Sequence, residues 1–148
     1  MKTIFAIFFS ILLGSCPNNN QENQETKMNS LYQGTLHGNG VGGFEKENLV
    51  IKSEKEWQAF LLKADASNQF TDLIDFSKNI IIAVIDSQKN TGGFSIEISK
   101  IKEEKSKLLI TIESKGPKPT DMVTMVLTQP IHIVKIPKTK KDIVFVTE

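Results

Sequence analysis

The chain is 148 residues long, the size of one domain, with 18 basic residues against 17 acidic ones and a formal net charge of +1; every basic residue is a lysine. That balance excludes a strongly basic nucleic-acid binder, and 39% hydrophobic with 24% charged residues excludes wholesale disorder. One cysteine excludes an internal disulfide, and two histidines cannot fill a four-ligand zinc site without carboxylates.

Residues 1–15 read as a secretory signal: Lys2 supplies the positive start and Ile4 to Leu13 an apolar core interrupted only by Ser10. That core falls well short of the ~20 apolar residues a membrane span needs. It ends in Leu13-Gly14-Ser15-Cys16, which resembles the bacterial lipobox. The resemblance implies cleavage before Cys16 and acylation of its sulfur and its amine, against the simpler alternative of an ordinary signal with an incidental cysteine. One acyl chain holds a protein reversibly and two or more hold it stably. Pro17 stands where an aspartate is associated with inner-membrane retention in many Gram-negative bacteria, so the expected place is the cell envelope, on the outer membrane where there are two. Residues 16–30 are the lipidated cysteine and a polar run (PNNNQENQETKMNS) that buries too little apolar surface to offset its ordering entropy, and are expected to form a flexible tether.

Residues 31–148 are expected to form the folded domain. Leu31 to Leu36 reads as a first strand, followed by a glycine-dense loop from Gly38 to Gly43 and a short strand core at Leu49-Val50-Ile51. Ser53 and Glu56 then form a capping box, and Trp57, Phe60 and Leu61 at i, i+3 and i+4 mark the buried face of a helix near residues 54–65. Ile80 to Ile85 is short and continuously apolar, which predicts a central strand covered on both faces. Phe94, Ile96 and Ile98 alternate with polar residues, Lys102 to Lys105 predicts a charged turn, and Lys107 to Ile112 a partner strand. Met125 to Ile136 predicts a long strand interrupted at Pro130, hence an edge position or a bulge, and Ile143 to Val146 closes the chain. The expectation is an α+β domain: a mostly antiparallel sheet of about six strands with one helix packed on it.

Few residues point to chemistry. Gly38 to Gly43 matches G-x-G-x-x-G formally, but no helix follows directly to receive a pyrophosphate, so a loop is the simpler reading. His37 and His132 have no nucleophile at a readable spacing; His132 should face opposite to Ile131 and Ile133, as a satisfied or surface histidine. Glu103 and Glu104 fit a solvated turn, and without arginine no bidentate phosphate clamp is available. No catalytic residue, metal ligand or cofactor is therefore expected, and the chain reads as non-enzymatic. The loops offer more. Asn90, Thr91, Gly92, Gly93 and Phe94 join two strands and read first as hairpin chemistry. In an up-and-down arrangement, however, they should neighbour the loop containing Gly116, Pro117 and Pro119, making a docking rim at one end of the sheet.

Two motifs carry a family resemblance. Asn90-Thr91-Gly92-Gly93-Phe94-Ser95-Ile96 and Thr128-Gln129-Pro130-Ile131-His132-Ile133-Val134-Lys135-Ile136-Pro137 together resemble the C-terminal domain of PrcB, a lipoprotein subunit of a bacterial surface protease complex. Members typically carry P-T-G-G-Y-S-I and Q-P-Y-H-V-V-x-I-P; Asn90, Phe94 and Ile131 depart from that pattern, the last two removing phenolic hydroxyls. The likeness is expected to cover roughly Leu31 to Val146. It implies no catalysis and an accessory role beside a secreted protease. The functional expectation is thus a membrane-tethered protein-binding module with a protease as partner. Alternatives are a protease inhibitor inserting Thr91-Gly92-Gly93 into a cleft, and a small-ligand carrier or enzyme whose pocket, lined by Trp57, lies between helix and sheet.

Overall fold

A computed structural model describes residues 25–36, 43–70 and 73–148. The expected signal, Cys16, most of the tether, His37 and Gly38 to Gly42 lie outside the described residues. The elements run β1 (Asn29–Leu36), β2 (Glu47–Ile51), α1 (Glu54–Lys63), β3 (Asn79–Ile85), β4 (Ser95–Glu103), β5 (Lys107–Lys115), β6 (Gln129–Pro137) and β7 (Asp142–Thr147). They make two sheets, ordered β1-β6-β3-β2 and β4-β5-β7, where one sheet was expected. The domain is α+β and largely β, with seven strands and one short helix.

Alternation of side chains across β3 explains the layering. Ile81, Ala83 and Ile85 face one core with Trp57, Phe60 and Leu61 of α1, while Ile80, Ile82 and Val84 face the other with Ile98, Ile110 and Ile112 of the second sheet. The four-stranded sheet is therefore the middle of three layers, and a continuous apolar run is what burial on both faces requires. β6 divides likewise: Ile131 and Ile133 face the helix, Val134 and Ile136 the second sheet. The helix begins as expected, with the Glu56 amide donating to Ser53 Oγ at 3.3 Å. Its carboxylate reaches one residue further back than a capping box predicts, accepting from the Lys52 amide at 2.6 Å.

Three further expectations are corrected, and one strand pairing was not foreseen. Pro130 sits neither on an edge nor at a bulge, because β6 lies between β1 and β3. It is tolerated there because the β3 ladder starts one residue later, at Ile131 opposite Ile85, and only the Pro130 carbonyl is used, accepting from the Asp86 amide at 2.9 Å. Residues 125–128 precede the strand instead of belonging to it. β7 pairs parallel to β5, because β6 crosses to the other sheet and both strands then start from the same pole. The predicted tether ends early: Glu25 bridges to Lys102, Thr26 N–H donates to the Ile101 carbonyl, and β1 starts at Asn29.

Register fixes two poles. One holds the β4–β5 turn, the β6–β7 connection and the start of the described chain at Glu25; the other holds the β3–β4 and β5–β6 loops. The three-layer arrangement predicts that Ile82→Ala, a deletion at a fully buried site, lowers unfolding free energy by about 2–5 kcal/mol. Leu73→Ala, at 97% exposure, should change it by less than about 0.5 kcal/mol. Denaturant midpoints check both, and equal effects would contradict the layering.

Candidate functional site

The β3–β4 and β5–β6 loops form one rim, as the topology implied. Gly92 N–H donates to the Thr124 carbonyl at 2.9 Å, Thr128 Oγ1 donates to the Thr91 carbonyl at 2.8 Å, and Lys89 and Thr128 exchange backbone bonds at 2.7 and 3.0 Å. Glycine is required where the loops close. A Cβ on Gly92 would stand 2.5 Å from Thr124 Oγ1, and Gly93 has a φ of 88° and packs against Pro117 and Val123. Phe94 lies against Gly116 and under the Lys89 ammonium, 5.1 Å from the ring centroid. Asn90 and Pro119 are exposed. All eight expected rim residues therefore lie at one pole.

The rim holds residues that sequence reasoning placed elsewhere. Met122 and Met125 are 102% and 83% exposed, and Val126 and Leu127 stand out with them. The signal was present in the sequence: Met125, Val126 and Leu127 show no polar alternation, unlike Phe94 to Ile98. Beside them an open groove of about 520 Å³ runs between β1 and the start of β4, lined by Gln33, Thr35, Ser95, Thr124, Val126 and Thr128 among others. Exposed apolar side chains grouped on one loop are unusual for a free surface and mark interaction sites.

Behind the rim, two buried polar residues of β6 hold the layers. Gln129, fully buried, donates from Nε2 to the carbonyls of Phe44 at 2.8 Å and Asp86 at 3.1 Å, while its amide donates to Thr35 Oγ1 at 2.9 Å. It joins β1, the lead into β2 and the end of β3. His132, 2% exposed, joins the two sheets: Nδ1 accepts from the Ile98 amide of β4 at 2.8 Å and Nε2 lies 2.9 Å from Ser30 Oγ. Since the amide can only donate, Nδ1 is unprotonated and Nε2–H donates to the serine, so the ring is neutral. Burial pushes its pKa below 6.5, against the raising effect of Glu97. His132 is thus a satisfied histidine and supports the fold. Asp86 likewise serves the loop base. Burial opposes its charge, but hydrogen bonds from Lys89 and the Ser87 amide and the charges of Lys89 and Lys46 together hold its pKa below 3.8.

Around Trp57 the space between helix and sheet is filled: Trp57 stacks on Phe60 at 5.4 Å between centroids and meets Phe70 edge-on at 5.3 Å, and the void beside Phe60, Ala64 and Phe70 is about 10 Å³. An open cleft of about 330 Å³ does lie between α1 and β2, lined by Leu49, Ile51, Ala59 and Phe60 among others, and Trp57 does not line it. Among the described residues no group of three or more His, Cys, Asp or Glu is placed to hold a metal ion.

Residues 80–137 match the model of the family described as PrcB C-terminal. The match runs from β3 through β6 and so includes both rim loops, Gln129 and His132; β1, β2, α1 and β7, which the likeness was expected to include, lie outside it. No curated protein and no solved structure matches the chain.

The neutral, buried state of His132 makes stability depend on pH. With the folded pKa below the unfolded value, the histidine's contribution is complete above about pH 6.5 and is lost as pH falls through the lower folded value. Denaturant midpoints of the wild type should therefore fall between pH 7 and pH 5, roughly, more steeply than those of His132→Gln, which does not titrate. His37 is common to both proteins and cancels. Parallel midpoint curves would contradict the assignment.

Proposed function

We propose that this chain is a lipid-anchored, non-catalytic protein-binding module of the cell envelope, acting as an accessory subunit of a secreted or surface protease complex. The observation that carries this reading is the rim: Thr91, Gly92, Gly93 and Phe94 are locked to the Gly116–Thr128 loop, which presents Met122, Met125, Val126 and Leu127 to solvent. A locked backbone bearing mobile thioether side chains suits protein recognition. The frame loses little entropy on binding, and methionine adapts to the partner's contour. The match of residues 80–137 to the PrcB C-terminal family model supports the protease as partner class, and the lipobox resemblance at Cys16 supports tethering. Tethering both proteins to one membrane raises their effective concentration, so modest rim affinity suffices.

Burying a methionine side chain contributes about 1.5–3 kcal/mol, so each rim methionine removed should weaken binding at least about tenfold. Met122→Ser with Met125→Ser should release the protease that copurifies with the membrane-extracted protein and leave the unfolding midpoint unchanged, because both side chains are exposed. Unchanged copurification by the double variant would sink the reading. Inhibition of the copurified protease that is lost in Gly92→Pro with Gly93→Pro, with copurification retained, would favour the inhibitor instead.

A further inference from the structure

We propose that the pole opposite the rim is a membrane-facing surface that seats on anionic lipid headgroups and turns the rim outward. The proposal rests on the lipid tethering just described, and two observations carry it.

First, the described chain begins at this pole. Glu25 pairs antiparallel with Lys102, and Thr26 N–H donates to the Ile101 carbonyl. Only residues 16–24 then separate Cys16 from the domain, a reach of about 30 Å at full extension. β4, nine residues long, spans about 30 Å from this pole to the rim. The pole is held near the bilayer, and the rim stands a strand's length beyond it.

Second, the charge at this pole is uneven. The β4–β5 turn and the β6–β7 connection lie together: the Asp142 amide donates to the Ser106 carbonyl at 3.1 Å, and Lys141 pairs with Glu103 at 2.7 Å. They bring together Lys102, Lys105, Lys107, Lys138, Lys140 and Lys141 against Glu25, Glu103, Glu104 and Asp142. Glu103 and Glu104 are ion-paired, to Lys141 and Lys102 respectively. Lys105, Lys107 and Lys140 are exposed and, among the described residues, have no carboxylate within ion-pair distance. At the rim the lysines sit beside acids instead: Lys89 on Asp86, Lys115 on Glu113, and Lys118 in one turn with Asp121. An excess of positive charge where the chain approaches the membrane complements anionic headgroups.

Each lysine near an anionic surface strengthens membrane partition by about fivefold. The test uses the mature chain, residues 16–148, which contains every described residue, carrying one saturated acyl chain attached to the unique thiol of Cys16. One chain binds reversibly, so the pole's share is measurable. Partition into phosphatidylcholine vesicles containing phosphatidylglycerol should exceed that into phosphatidylcholine alone by about a hundredfold, and the excess should vanish at high salt. Lys105→Glu with Lys107→Glu and Lys140→Glu should abolish the excess without moving the unfolding midpoint, whereas Lys55→Glu on α1 should retain it. Equal partition into both vesicles, or an excess that survives the triple reversal, would overturn the proposal. Native acylation is read separately, from the intact mass of protein extracted from cells, so its failure is distinguishable from failure of the pole.

Discussion

Burial of β3 and β6 on both faces is the constraint from which the rest of the structure follows. A strand between two cores has no solvated side, so every side chain on it must be apolar or fully hydrogen-bonded. β3 meets the condition with Ile80 to Ile85. β6 carries two buried polar residues, Gln129 and His132, and both are hydrogen-bonded, while its third polar residue, Lys135, is only half-buried. Because their partners lie on other elements, this bonding doubles as joinery: Gln129 closes the rim end of the first sheet and His132 ties that sheet to β4. Removing either partner set would leave buried donors unmet, at about 1–3 kcal/mol each.

The same frame separates stability from recognition. Motif residues that look chemical in one dimension serve the fold in three. The histidine and glutamine of the β6 motif are buried, whereas the glycines of the Thr91–Gly93 turn and the side chains of the Gly116–Thr128 loop stand at the surface. The rim stays in place because its loops bond to each other directly above Gln129 and Asp86. Substitutions on the rim's outer side chains should therefore be tolerated by the fold, leaving that surface free to fit a partner.

Much of the fold was legible where a local pattern had one physical solution. The Ser53–Glu56 pair and the Trp57-Phe60-Leu61 spacing could only start an amphipathic helix, and the unbroken Ile80 to Ile85 run could only be a strand covered twice. The second sheet was not legible, because alternation in Phe94 to Ile98 fixes which side chains turn inward but not what they turn toward. Pro130 misled for a related reason: its missing donor matters only where a ladder needs it, and the end of β3 is a tertiary fact. The rim was read correctly as a neighbourhood of Thr91-Gly92-Gly93 and Gly116-Pro117. Its exposed apolar edge was missed because Met122 to Leu127 has strand-like composition and its exposure depends on where β6 begins. Ser30 and Glu25 were assigned to the tether, since a single hydroxyl bonded to a histidine 102 residues away leaves no trace in local composition.

The proposed molecule is polar, with a basic pole toward lipid and an apolar-edged rim toward another protein. Amide hydrogen exchange on the protein in its own membrane, compared with the same protein released in detergent, tests it most directly. Exchange on the membrane should be slower at residues 104–106 and 138–141, with residues 116–128 unchanged. Membrane protection at residues 116–128 instead would mean that Met122, Met125 and Leu127 enter the lipid, and would contradict it.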